Sequence, residues 1–194
     1  MGNKVQNVLL GVLAVGLIGI TVAYAALSQR LDIQPEATVK KSTWDVEFAN
    51  VACTASNLNG TTTTAVVDTS EGKLAVDGKT TIKGSMGTLK TPGDTITCTF
   101  DIVNKGDIDA KITTAPVVPT PTCATDASGI CSELTYTLTY ADSSNTAIKV
   151  NDELATGATK AAKIVLTYKK DSTKLTATDV KVGPMTSYII YGQK

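Results

Sequence analysis

The chain of 194 residues contains no histidine. Zinc proteases, serine and cysteine hydrolases and proton shuttles depend on an imidazole that titrates near neutral pH, so its absence argues against those classes. Lysine- or carboxylate-based chemistry is all that stays open. Neither sign of charge is in excess: 18 basic residues balance 18 acidic ones. The N-terminal segment carries only Lys4, so the rest holds 17 against 18, a net of −1. With no basic stripe, nucleic acid is not an expected partner. A glycine-rich phosphate loop, a nucleophile elbow and paired catalytic carboxylates are also missing. The reading is that the chain is not an enzyme and holds no cofactor and no metal.

Cysteine is scarce but even in number. Cys53, Cys98, Cys123 and Cys131 are spaced by 45, 25 and 8 residues, with no C-x-x-C knuckle of the kind a zinc site needs. In an exported chain such a set forms two disulfides. Cys123 and Cys131 can close a small loop. Cys53 and Cys98 make the second expected pair, and the two other pairings are the alternatives.

Long apolar runs are confined to one place. Residues 8–27 (VLLGVLAVGLIGITVAYAAL) are apolar apart from Thr21, Tyr24 and the glycines, and no charge falls between Val5 and Gln29. A helix of that length spans roughly 30 Å, the thickness of a bilayer core. Residues 5–29 are thus the expected contact with the membrane. Ala23-Tyr24-Ala25 supplies an A-x-A cleavage site for a signal peptide ending at Ala25, and an uncleaved anchor is the alternative. Both place the remainder outside the cytoplasm, in the extracellular space or on the cell surface. Neither an LPxTG-like sorting motif nor a C-terminal hydrophobic tail occurs, so covalent wall attachment is not expected.

Beyond residue 36 no helical stripe is found, and period-2 alternation keeps returning. Trp44, Val46 and Phe48 oppose Asp45 and Glu47. Ile96, Cys98, Phe100 and Ile102 oppose Thr95, Thr97, Thr99 and Asp101. Tyr136, Leu138 and Tyr140 alternate with threonines, and Ala162, Ile164, Leu166 and Tyr168 form another inward row. Residues 186–191 read as a final strand. Shorter candidates are 65–69, 73–76, 80–83, 108–113 and 147–150. Cys53 has the opposite parity to Phe48, so a bulge or strand end must separate them. Turn signals such as Asn59-Gly60, Pro92-Gly93-Asp94 and Lys105-Gly106-Asp107 punctuate the rows. Residues 114–133, with three prolines in six positions, read as an extended surface excursion. The fold class expected is all-β: an antiparallel two-sheet β-sandwich, jelly-roll-like, preceded by an N-terminal hydrophobic helix.

The domains follow: 1–25 a signal peptide or membrane anchor, 26–35 an amphipathic strand, 36–194 the sandwich. In the strand, Leu27, Leu31 and Ile33 share one face of an extended chain, and Pro35 ends the ladder. Such a strand can pair within its own domain or be donated to a neighbouring copy, and a third reading continues the membrane helix through Leu31. Burial of two Leu and one Ile is worth roughly 4.5–9 kcal/mol gross. Head-to-tail donation does not close, so it generates a filament.

The segments LLGVLAVGLIGITVAYAALSQ, ATVKKSTWDVEFANV and TFDIVNKGDIDAKI resemble exported proteins processed by a SipW-type signal peptidase. The arrangement is similar to the TasA/camelysin group of biofilm fibre subunits and to surface proteins of Firmicutes type, most closely over residues 1–50 and 90–113. The resemblance implies a jelly-roll-like sandwich, secretion into the biofilm matrix and fibre growth by N-terminal strand exchange. Camelysin relatives are classed as metallopeptidases; without histidine, that activity is not carried over. The expected function is a secreted structural subunit of an extracellular filament or surface layer, a head-to-tail homopolymer built by N-terminal strand donation. The alternative is a membrane-tethered binding or adhesion module that displays residues 114–133.

Three minor constellations complete the reading. Asp107 with Asp109, and Asn151 with Asp152 and Glu153, carry oxygen ligands of the calcium type, although acidic loop residues are ordinarily just solvated. Lys105 beside Asn104 and Asp101 has the composition of an isopeptide site but the wrong spacing. Trp44 reads as a core anchor.

Overall fold

A computed structural model describes residues 2–27, 35–124 and 129–194, with side chains from residue 22 to 27 also outside the description. The chain divides into two compact units, Met1–Lys40 and Lys41–Lys194. The first contains helix α1 (Gly2–Leu27), largely apolar and with no acidic residue in its first turn. Its Gly2–Thr21 portion is long and apolar enough to cross a membrane and is fully unburied in the structure. Residues 35–42 are exposed and belong to no strand.

The second unit is built of strands. In chain order they are β1 (Val46–Asn57), β2 (Val66–Val67), β3 (Ala75–Asp77), β4 (Thr81–Lys83), β5 (Gly87–Thr88), β6 (Asp94–Asn104), β7 (Ala110–Val117), β8 (Leu134–Tyr140), β9 (Glu153–Leu154), β10 (Thr159–Tyr168) and β11 (Tyr188–Gln193). A 3₁₀ turn at Ile130–Glu133 leads into β8. Four strands form one antiparallel sheet in the order β1-β6-β10-β8; three form a second, β11-β7-β9. The pairs β2-β5 and β3-β4 are short ribbons.

The alternating rows become the core. Ile96, Cys98, Phe100 and Ile102 on β6 are buried with Ala162, Ile164, Leu166 and Tyr168 on β10 and Leu134, Leu138 and Tyr140 on β8. Ala110, Ile112 and Leu154 from the second sheet join the same cluster. Threonines take the opposite faces, where a β-branched side chain suits the pleat and its hydroxyl tolerates water. Phe48 meets Phe100 edge to face, centroids 5.4 Å apart.

The parity conflict between Phe48 and Cys53 is resolved by a bulge. The β1–β6 register runs Ala49 opposite Asp101, then Ala52 opposite Thr99, so β1 carries one residue more. Asn50 sits there with φ 53° and donates to the Asp101 carboxylate at 2.8 Å. Asparagine is among the few residues that tolerate this conformation.

Four expectations change. Trp44 precedes β1 and is 41% exposed, so it anchors no core. Residues 114–117 are not part of a surface excursion but continue β7, paired with β11. Pro116 is accommodated because the ladder is irregular there, with Val117 opposite Tyr188 and Thr114 opposite Ile190. Residues 147–150 make only a bridge from Ala147 to Thr139, and the neighbouring strand is β9 instead. Helix α1 runs through Ala23 and Ala25 to Leu27, so Ala26 and Leu27 are helical in the intact chain rather than extended. Leu31 and Ile33 lie outside the described residues.

Candidate functional site

Among the described residues the buried polar side chains, Asp94, Thr95 and Asn104, all lie toward the two ends of β6. Asp94 opens the strand and is fully buried. Its Oδ1 accepts hydrogen bonds from Asn57 Nδ2 at 3.0 Å, Thr63 Oγ1 at 3.1 Å and the Thr64 amide at 3.1 Å. Its Oδ2 accepts from Thr64 Oγ1 at 2.7 Å and from the Lys90 and Thr91 amides, each at 3.0 Å. Burial alone would raise the Asp94 carboxyl; the Thr91 and Lys90 amides, the Thr64 hydroxyl and the Asn57 amide outweigh it and hold the group well below the usual carboxylate range. No cation is among these donors. The carboxylate ties together the end of β1, the start of the 58–89 excursion and the turn before β6. Gly93 completes the knot: its φ is +93°, and a Cβ there would stand 2.6 Å from Asn59 Nδ2.

Asn104 closes the same strand and is also fully buried. Its amide donates to the carbonyls of Ile108 at 2.9 Å and Leu154 at 3.1 Å, and its Oδ1 accepts from the Gly106 amide at 3.1 Å. It therefore links the four-stranded sheet to β9 of the three-stranded one.

The minor constellations are occupied by structural contacts. Lys105 pairs with Glu47, drawing that carboxyl below its ordinary range, while the Asn104 amide is engaged elsewhere; the two side chains do not meet as an isopeptide pair. Lys79 bridges Asp45 at 2.6 Å and Glu47 at 3.6 Å. The Asp107 carboxylate accepts from Thr43 Oγ1 at 2.9 Å, and Asp109 accepts from the Thr156 amide at 2.9 Å. Asp152 accepts from the Tyr140 hydroxyl at 3.0 Å and the Lys149 amide at 2.8 Å. Among the described residues no group of three or more Cys, Asp or Glu is placed to hold a metal ion.

Two open concavities lie on the surface. One follows residues 66–70 and Ser85, Gly87 and Thr88; the other lies between Tyr140, Asp142, Lys149 and Lys160. Lys160 stands 4.9 Å over the Tyr140 ring. Burial and the neighbouring Asp152 charge push the Tyr191 hydroxyl up to about 12. In the first hollow the Ser70 hydroxyl donates to the Asp68 carboxylate at 2.6 Å, a contact between residues two apart in one turn.

The cysteines are bonded Cys53–Cys98 and Cys123–Cys131, the pairs expected from the sequence. Cys53 and Cys98 lie directly opposite each other on adjacent strands, Cα atoms 4.0 Å apart. The bridge locks the register of edge strand β1 just past its bulge. The smaller loop is fastened by Lys174, whose ammonium donates to Gly129 O at 3.2 Å and Ser132 Oγ at 3.0 Å.

Asp94 and Asn104 do not stand out in the sequence by motif. The available signal is positional: both occupy the inward parity of β6, so the row reads Asp94, Ile96, Cys98, Phe100, Ile102, Asn104. A polar residue at each end of an otherwise apolar inward row must be hydrogen-bonded once folded.

Comparison with known proteins returns no matching family model, no matching curated protein and no matching solved structure.

Proposed function

We propose that the chain is an exported structural protein of the cell surface or extracellular matrix, whose β-domain is a two-sheet, jelly-roll-like sandwich and which assembles head to tail through its N-terminal segment. An apolar helix of membrane-crossing length precedes a domain with two disulfides, and disulfides persist in oxidising compartments outside the cytoplasm. What supports assembly is the alternating apolar row Leu27, Leu31 and Ile33 in the sequence, ahead of a domain whose first ladder begins only at Val46. Polar side chains in the domain act as structural fastenings, which fits a material role.

Deletion of residues 26–34 from the processed protein tests the reading: filaments should be lost by negative-stain imaging, and filaments persisting without the segment reject strand donation. A tethered surface module is favoured by one observation, the continuity of α1 through Ala23-Tyr24-Ala25 to Leu27. Mass spectrometry of the native N-terminus separates the two. A start at Ala26 supports release and assembly; a start at Met1 or Gly2 supports tethering.

A further inference from the structure

We infer that the four-stranded sheet carries a second self-association surface: the free edge of β8 in one copy pairs with the free edge of β1 in the next. On β8, the Tyr140 amide donates to Thr146 O, away from β10. Backbone groups of an antiparallel strand alternate in direction, so Tyr136 presents its amide and carbonyl, and Leu134 its carbonyl, to that open side, the Leu134 amide being taken by Cys131 O. On β1, the short Cα separation of Cys53 and Cys98 marks a pair that exchanges no hydrogen bonds between the two strands. Cys53 and Ala55 therefore aim theirs away from β6. Among the described residues, the Leu134 amide apart, no backbone group pairs with these four on their open sides.

The windows are matched in extent. The β8 edge is bounded by the bridge from Thr139 to Ala147, and the β1 edge by Phe48, whose amide donates to Lys79 O, and by Asn57, whose carbonyl accepts from the Gly60 amide. What is left is residues 134–137 and residues 52–55. Neither window has a charge, a proline or a glycine, the devices that ordinarily protect an edge.

Direction and facing agree as well. The sheet has four strands, each antiparallel to its neighbour. With an even number of alternating strands, a copy related by translation and twist presents β1 antiparallel to β8. Setting Tyr136 opposite Cys53 matches outward-aimed backbone with outward-aimed backbone. It also puts Leu134 and Tyr136 on the same face as Ala55 and Cys53, bulky beside small, and brings exposed Thr135 and Thr137 opposite exposed Thr54 and Ala52. The contact is heterologous and open, so it extends the sheet from copy to copy. It is independent of residues 26–34.

Charge placement on the full chain in detergent tests the pairing. One variant carries Thr135→Lys and Thr137→Lys with Ala52→Lys and Thr54→Lys; a second carries the same β8 changes with Ala52→Glu and Thr54→Glu. All four sites are exposed, so both variants burden the fold alike. By sedimentation at low salt, the first should associate at least about ten-fold more weakly than the unaltered chain, and the second should regain the association. An unaltered chain that stays monomeric, a first variant that associates undiminished, or a second that fails like the first overturns the inference. Deleting residues 26–34 should leave this association in place. If that deletion abolishes it while the first variant associates normally, edge pairing fails and strand donation stands; the opposite pattern rejects strand donation and upholds edge pairing.

Discussion

Replacing Asp94 by alanine removes one carboxylate and strands six donors. Four of them, the amides of Thr64, Lys90 and Thr91 and the Asn57 side chain, have fixed directions, and two are threonine hydroxyls free to rotate. A buried donor left unsatisfied costs about 1–3 kcal/mol, and water admitted to the vacated space recovers part of it. The expected net loss is about 3–5 kcal/mol, comparable to breaking a buried ion pair. Chemical unfolding followed by near-ultraviolet circular dichroism measures it. The pH dependence supplies an independent arm. Asp94 has a folded pKa below the unfolded value of about 3.9, so its stabilisation is complete above that value and is lost as pH falls towards the depressed one. The unaltered protein should therefore lose stability steeply below about pH 4, and the Asp94→Ala variant should show a shallower slope. A loss under about 1 kcal/mol, or an unchanged acid limb in the variant, refutes the claim that this carboxylate holds three segments together.

Three further outcomes are expected. Replacing Cys53 and Cys98 together by serine should cost about 2–4 kcal/mol, read from unfolding midpoints, and reductant, which also opens Cys123–Cys131, should lower the unaltered protein's midpoint as well. The buried Tyr191 hydroxyl makes no hydrogen bond of acceptable geometry, so Tyr191→Phe should leave stability unchanged or raise it by up to about 1 kcal/mol in thermal melts; Tyr140→Phe, which takes a donor from Asp152, should lower it by about 1 kcal/mol. Asn104→Ala leaves the Ile108 and Leu154 carbonyls and the Gly106 amide without their partner and should cost about 2–4 kcal/mol in chemical unfolding.

The central strands are legible in the sequence because each buries one face and wets the other. Three rows, on β6, β8 and β10, alternate without interruption, and the burial follows them except at Thr95, which is buried although its parity is outward. The bulge in β1 is legible for the same reason, as a parity error between Phe48 and Cys53. Trp44 misleads because alternation does not mark where a ladder stops: nothing local separates Trp44 from Val46. Pro116 misleads in the opposite sense, since a missing amide is harmless where the ladder is already irregular. The knot at Asp94 is hidden because its partners come from residues 57, 63–64 and 90–91, a convergence that exists only once β1 and β6 are paired. Likewise, the open edges depend on strand order, which no single strand encodes.

The bridge between Cys53 and Cys98 encloses the whole 54–97 stretch, including both short ribbons, in one covalent ring. A protease that clips this ring once, anywhere along its exposed turns, changes the connectivity without releasing either fragment. A single cut in this excursion therefore leaves the chain segments on its two sides covalently joined through Cys53 and Cys98.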